Sequence, residues 1–478
     1  MNVLQNNEVT KLRRTLTYKW LLVLGFVVLF LALRWYLVAR YGSATPFYDQ
    51  WDAEAAHLYT PWIEGRLGWI HLFQPHNEHR ILTARILLLG LFSLIGNQWD
   101  TLLQMQVNVV IHLSALTILL LGLGQGLSRW QVFTLWSIGL VMFLPPYAHQ
   151  SVLEGIQSAY YFYLLFGVIF LYIMSRFPVN RPIWWMGLLC GLLSYLSLAS
   201  GAVAMVAGFF MMVTRQLSQK EHPNEKCMLV WVAAFVVLAL ALICIAATPT
   251  VSVNSGMQAS SPFQFFTALM KLLSWPGKGY WWEALIFQLP ILVFAVQMWR
   301  HPSLRRAQHF FLLGIGLWLM GTVTALAFAR ASEINASRYI DLLVIGLPLN
   351  VAAWCWVWST LTPKSKRWWG VLAAFWLVSL MYGINRELPK IAVGMQYRYD
   401  TAQIQERNVR AYLCTRDVRY LNDPVPQHLP YPNRERFAEL LNRPSIQAIL
   451  PEHLLNPAAT PPIGVTGDPF CDAPFPTQ

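Results

Sequence analysis

Apolar runs of about twenty residues alternate along this chain with short polar loops. The first covers 18–39 and includes Leu21–Leu24 and Phe26–Leu31; ten more follow at 101–123, 132–147, 158–176, 183–198, 201–214, 228–247, 284–299, 309–328, 340–361 and 369–386. A helix needs roughly 20 apolar residues to cross a bilayer core. The pattern therefore predicts an all-α polytopic membrane protein with about eleven transmembrane helices within residues 1–386. The first run is too long for a signal-peptide core and no small-residue cleavage site follows it, so it is expected to stay as a span. Arg34, near its outer end, is placed to snorkel toward the interface. The apolar stretch 81–96 is shorter and carries Arg85 beside Arg80, which predicts a helix lying at the membrane interface. Within 183–214, Ser197 to Gly201 predicts a tight turn between two short spans.

Composition strengthens this picture and charge orients it. Hydrophobic residues make up 56% of the chain and charged residues 12%, with a mean hydropathy of +0.42; a soluble domain carries about 25% charged residues. The net charge of +12 comes without a long Lys/Arg run, which argues against nucleic acid as a partner. Sixteen basic residues fall in one set of loops: Lys11, Arg13, Arg14, Lys19, Arg129, Arg176, Arg181, Arg215, Lys220, Lys226, Arg300, Arg305, Arg306, Lys364, Lys366 and Arg367. The opposite set holds eight before the tail. The bias predicts a cytoplasmic N-terminus, and an odd number of spans puts the C-terminal end outside. After Arg386 the composition changes: residues 387–478 hold 13 of the 28 prolines. They are expected to form a small extracytoplasmic domain with a short helix over Arg434–Asn442, its apolar face made by Phe437, Leu440 and Leu441. Cys414 and Cys471 are the cysteines of that tail and are expected to pair in an oxidising compartment. Cys190, Cys227, Cys244 and Cys355 lie in or beside spans, and no Cys/His set has zinc spacing.

The first outer loop, within 40–100, concentrates the candidate chemistry. It reads Pro46-Phe-Tyr-Asp49-Gln-Trp-Asp52-Ala-Glu54 and then Gln74-Pro-His76-Asn-Glu78-His79-Arg80. Trp51, Trp62 and Trp69 suit a loop lying on the membrane surface. Ala55, Leu58, Trp62 and Ile63 have helical spacing, which puts Asp52 at a helix start, where an acid caps. A carboxylate among aromatic side chains can act as a general base, and the His/Glu/Arg cluster suits phosphate binding. The same residues also read as solvated loop acids, a cap and a local ion-pair network. Both readings stay open at this point.

These motifs resemble the GT-C superfamily of membrane glycosyltransferases, near the protein mannosyltransferase and lipid A aminoarabinose transferase branch. Asp52-Ala-Glu54 falls at that family's acid motif. His76-Asn-Glu-His-Arg80 falls at a His-Pro-Pro-like element, and Leu94-Ile-Gly96-Asn97 at the turn after its interfacial helix. Leu198-Ala-Ser-Gly201 resembles a Thr-Lys-Gly-like turn without the lysine, and Ser337-Arg338-Tyr339 an Arg-Tyr element near a donor phosphate. The spaced Asp-x-x-Asp-x-Glu replaces the family's adjacent acids. The pentapeptide, together with a tail reading Leu429-Pro-Tyr-Pro and Ile449-Leu-Pro451, resembles a bacterial group of membrane proteins.

The resemblance implies a GT-C-like bundle in a bacterial inner membrane, with interfacial helices in its first outer loop. It implies inverting transfer of a sugar from a polyprenyl-phosphate donor to an envelope glycan, lipid or protein on the outer face. Asp52 is then the expected base, Asp49 the next choice and Glu54 a supporting acid. Arg338, Tyr339, Arg330, Arg80, His76 and His79 are the expected donor-phosphate residues. A divalent metal (Mg or Mn), if one takes part, falls to Asp49, Asp52 and Glu54. A transporter or flippase of lipid-linked saccharide and a non-catalytic polysaccharide-assembly protein are the alternatives.

Overall fold

The computed structural model describes residues 2–218, 225–251 and 256–455. Among them the chain is all-helical, with nineteen α-helices and no strand. The α-helices of eight or more residues are numbered here α1 (Asn2–Tyr41), α2 (Leu82–Leu94), α3 (Thr101–Leu123), α4 (Arg129–Phe143), α5 (Ser158–Arg176), α6 (Pro182–Ser197), α7 (Gly201–Ser218), α8 (Glu225–Ala246), α9 (Pro262–Leu273), α10 (Trp281–Arg300), α11 (Ala307–Ala329), α12 (Ile340–Thr360), α13 (Pro363–Thr415) and α14 (Arg434–Asn442).

Local chemistry sets where these helices start. The Asp100 carboxylate accepts from the Leu103 amide at 2.9 Å at the head of α3. Ser128 and Gln131 form a capping box on α4. Pro182, Pro262 and Pro363 open α6, α9 and α13, where a missing amide hydrogen costs nothing.

Among the described residues, nine helical stretches are long and apolar enough to cross a membrane. Two of the expected spans fall short of that length: α4 has 15 residues and α6 has 16. Both still run antiparallel along longer neighbours. Gly187 and Gly191 of α6 face Ile173 and Phe170 of α5, and Ser194 donates to the Tyr163 carbonyl at 3.0 Å. One end of α4 reaches Cys355 through Gln131, and the other end accepts from Arg34 at Phe143. Small residues permit the close crossings: a Cβ on Gly167 would lie 2.7 Å from the Trp318 ring, and one on Gly122 would lie 2.4 Å from Phe311.

The two-helix reading of 183–214 holds, as α6 and α7 joined at Leu198–Ser200. A Cβ on Gly201 would strike the Ser194 carbonyl at 2.3 Å, so this turn packs directly on α6 backbone. A helix also forms over the short apolar stretch 81–96. α2 has 13 residues, about 20 Å, buries Leu82, Leu88 and Phe92, and bonds to α6 through Thr83 and Ser197 hydroxyls 2.7 Å apart.

One helix runs across the composition change at Arg386. α13 continues through Pro389 for 53 residues, roughly 80 Å at helical rise. Its last turns, with the residues that follow, pack onto the loop between α1 and α3. Trp51, Tyr59, Leu88, Phe92 and Trp99 share one buried apolar cluster with Val409, Tyr412, Phe437, Leu440, Ile446 and Leu454. Burying each such side chain contributes about 1.5–3 kcal/mol. Loop and tail therefore share a core beside that of the bundle. α14 has the predicted limits and buries the predicted face. Cys414 is disulfide-bonded; Cys471, its expected partner, lies outside the described residues.

Candidate functional site

The loop after α1 turns sharply before it becomes helical. Tyr48 sits at φ 48°, in the left-handed region that a bulky side chain rarely adopts. A π-helix then covers Trp51–Tyr59 and passes into a short α-helix, Thr60–Ile63. Helical structure was expected here, but Asp52 is not its cap: Gln50 holds that position and Asp52 lies inside the first turn.

The turn and the π-helix send the three carboxylates to three different places. Asp49 is more than half exposed, with a carboxylate oxygen 3.6 Å from His76 Nε2. Burial raises its pKa, but the nearby His76 ring and the charges of His76, Arg338 and His79 outweigh that and hold it below its ordinary value. Asp52 faces the tail. It accepts from the Tyr431 hydroxyl and lies 3.6 Å from Arg436. Glu54 is fully buried. It accepts from Gln50 at 3.0 Å, Tyr59 at 3.2 Å, Trp99 at 2.8 Å and Gln104 at 2.8 Å. Burial pushes its carboxyl up to about 7 against those four bonds. The three acids thus do not converge on one point, and they do not fit a shared divalent ion. No group of three or more His, Cys, Asp or Glu side chains among the described residues is arranged to hold a metal.

The second half of the loop closes as a tight turn. His76 and His79 exchange backbone hydrogen bonds of 2.6 and 3.0 Å, with Asn77 in the left-handed region. This turn presents His76 to Asp49, Glu78 to Arg330 and His79 to the α6–α7 turn, where the Ala199 amide donates to His79 Nδ1 at 3.4 Å. Burial lowers the His79 pKa to about 4, against the opposing charge of Glu78. Arg338 donates to Glu333 at 2.5 Å and to the Tyr339 hydroxyl at 3.3 Å. Five of the six expected phosphate residues therefore gather at this end of the bundle. Arg80 is turned away, donating to the Phe73 and Ala247 carbonyls at 3.1 Å each. Arg85 is likewise committed to backbone, at His71, Leu72 and Gln74.

Sequence reasoning missed two members of the cluster. Glu154 is bound by Gln157 at 2.7 Å; burial raises its pKa, while the charges of Arg398 and Arg338 oppose that rise. Arg398 comes from the long helix α13, with its guanidinium 3.9 Å from the Phe47 ring centre and a bond of 3.1 Å to Gln405. No local motif marks Arg398; only the unbroken helix brings it to the loop. The arrangement offers an accessible carboxylate with a lowered pKa beside His76, biased by the charges of Arg338 and His79, while Arg330 pairs with Glu78 and Arg398 lies against Phe47. The chain matches no known family, no curated protein and no solved structure.

A second polar group lies deeper. Arg34, His112 and Asp341 are 1%, 3% and 5% exposed. Tyr161 donates to Asp341 at 3.4 Å and stacks on His112 at 4.4 Å, while Phe30 lies between His112 and the Arg34 guanidinium. Arg34 is therefore not snorkelling; it donates to the Phe143 and Pro145 carbonyls inside the bundle.

Proposed function

We propose that this chain is a GT-C-type membrane glycosyltransferase that uses a polyprenyl-phosphate-linked sugar at the outer face of a bacterial inner membrane. The observation that supports this reading best is the accessible Asp49 carboxylate, in reach of His76 and held ionised by the charges of His76, Arg338 and His79. In this reading eleven helices pass through the bilayer, α4 and α6 included, and the loop–tail layer faces outward. Asp49, rather than Asp52, takes a proton from the acceptor hydroxyl. That hydroxyl then attacks the anomeric carbon with inversion, and the departing phosphate needs cationic groups already in place. Arg338 and Arg330 are the residues for that task, each held by a carboxylate that the phosphate would displace.

Two experiments test this. The protein in proteoliposomes, given glucosyl, galactosyl and mannosyl polyprenyl phosphates with envelope extract as acceptor, should release polyprenyl phosphate, and cells lacking it should lose a surface-glycan modification by mass spectrometry. No transfer from any donor together with unchanged glycans rejects the reading. A reporter active only outside the cytoplasm should be active when fused after Thr415; a silent one rejects the outer-face placement. The Arg34–His112–Asp341 group favours one rival, since ionisable residues inside a bundle are expensive and mark translocation paths. Movement of labelled polyprenyl-linked saccharide across the vesicle without sugar transfer would establish that rival.

A further inference from the structure

We propose that the tail is a working part of the outer-face site: Tyr431, acting through Asp52, together with the Pro430 carbonyl, sets the direction of the Asp49 carboxylate, making Tyr431 and Asp52 positioning residues. This rests on the reading of Asp49 as the base. Five contacts carry the argument. The Tyr48 amide donates to the Pro430 carbonyl at 2.6 Å. The Tyr431 hydroxyl donates to Asp52, and Arg436 lies 3.6 Å from the same carboxylate. Phe437 meets Trp51 edge-on at 4.8 Å, and Trp51 is fully buried. The Trp99 amide donates to the Ile449 carbonyl at 3.0 Å.

These contacts bracket Asp49 on both sides. Tyr48, immediately before it, holds a left-handed backbone that is strained for such a residue and persists only where surrounding structure over-determines it. The hydrogen bond to Pro430 supplies that restraint. Asp52, one turn after Asp49, is clamped from the tail by Tyr431 and Arg436. Without the tail, Tyr48 can relax to an ordinary conformation and swing the Asp49 side chain away from His76. Asp52 thus serves in an oriented linkage, with no contact to the reacting atoms.

The test pairs hydrogen exchange with turnover on the full-length protein. Tyr431→Phe keeps the ring and removes the donor to Asp52; Asp52→Ala removes the acceptor. Each should speed amide exchange at residues 47–52 at least tenfold while α3 and α5 keep wild-type protection. Each should lower kcat about ten- to a hundredfold, the scale for a misplaced catalytic group, at unchanged KM for the polyprenyl-phosphate donor. The double variant should be no worse than either single change. Asp52→Asn, which keeps an oxygen for Tyr431, should recover part of what Asp52→Ala loses. Wild-type exchange at 47–52 in Tyr431→Phe overturns the proposal, as does faster exchange with full turnover. Asp52→Asn as inactive as Asp52→Ala beside a normal Tyr431→Phe overturns it too, by making Asp52 the base. If the wild-type protein transfers no sugar, the transferase reading fails, and the exchange experiment alone decides whether the tail holds this loop.

Discussion

Asp49 and Glu54 lie five residues apart on one loop, and the structure treats them oppositely. Asp49 is more than half exposed, beside a histidine and among cations. Glu54 is sealed at 0% exposure under four donors. One end of the loop is an open, charged edge; the other is a closed polar knot tying the π-helix to α3. The same residue chemistry thus yields a reactive candidate at one end and a structural fastener at the other, decided by burial and partners.

The sharpest way to break that contrast is to neutralise the open end. Asp49→Asn keeps shape and loses basicity. Transfer should fall about 10²–10⁴-fold, the usual worth of a general base, with thermal stability unchanged because the side chain is exposed. Near-normal transfer by Asp49→Asn would remove Asp49 from the chemistry. The acid limb of kcat should lie below the ordinary carboxylate pKa of about 3.9, since His76, Arg338 and His79 favour the ionised form. His76→Gln should move that limb upward.

Glu54→Ala tests the closed end. It strands Trp99 Nε1 and the Tyr59 hydroxyl hydrogen, both buried, and each orphaned donor costs about 1–3 kcal/mol. A stability loss of roughly 3–5 kcal/mol is expected, read as a large drop in Tm in detergent. Transfer per folded molecule should change far less than in Asp49→Asn. A Glu54→Ala protein of normal Tm that has lost all transfer would reverse the two roles.

Much of this architecture can be read from the sequence, because its signals are local. Apolar run length marks the helices, Gly201 marks the α6–α7 turn, and the spacing of Phe437, Leu440 and Leu441 marks α14. The division of labour within the loop cannot be read this way. Asp52 and Tyr431 are 379 residues apart in sequence, and nothing near either one signals the contact. The change of composition at Arg386 gives no sign that α13 runs across it and brings Arg398 to the loop. Apolar run length over-reads 132–147 and 183–198, whose helices α4 and α6 have only 15 and 16 residues.

Acid should separate the two ends by sign. His79 is lowered to about 4 by burial, so its neutral form contributes stability above its ordinary pKa of about 6.5. That contribution is lost as pH falls from about 6.5 to about 4. Glu54 is raised to about 7, so its contribution is present below its ordinary value of about 4.3 and is lost as pH rises to about 7. The two limbs oppose each other across the same window. Removing His79 as His79→Gln should leave a protein whose Tm falls steadily from pH 4.5 to 7, whereas Glu54→Gln should leave one whose Tm rises. A parallel pH response in both variants would show that neither group titrates as its surroundings require.

The smallest expected effect belongs to Arg338, and it sharpens the picture of the open end. Its guanidinium is shared between Glu333 at 2.5 Å and the Tyr339 hydroxyl at 3.3 Å, with the Tyr339 ring 5.1 Å away. A donor phosphate must compete with Glu333 for it, so part of the contact energy is spent in displacing that carboxylate. Arg offers two parallel donors to a phosphate and Lys only one point charge. Arg338→Ala should therefore weaken donor binding about three- to tenfold, up to the 1.4 kcal/mol that a factor of ten represents. Arg338→Lys should recover only part of that. Glu333→Gln should strengthen binding, because it frees the guanidinium without removing it. Equilibrium binding of polyprenyl-phosphate sugar to the purified protein measures all three. Wild-type affinity in Arg338→Ala together with no gain in Glu333→Gln would leave this ion pair as a brace for the α11–α12 loop, with the phosphate held elsewhere.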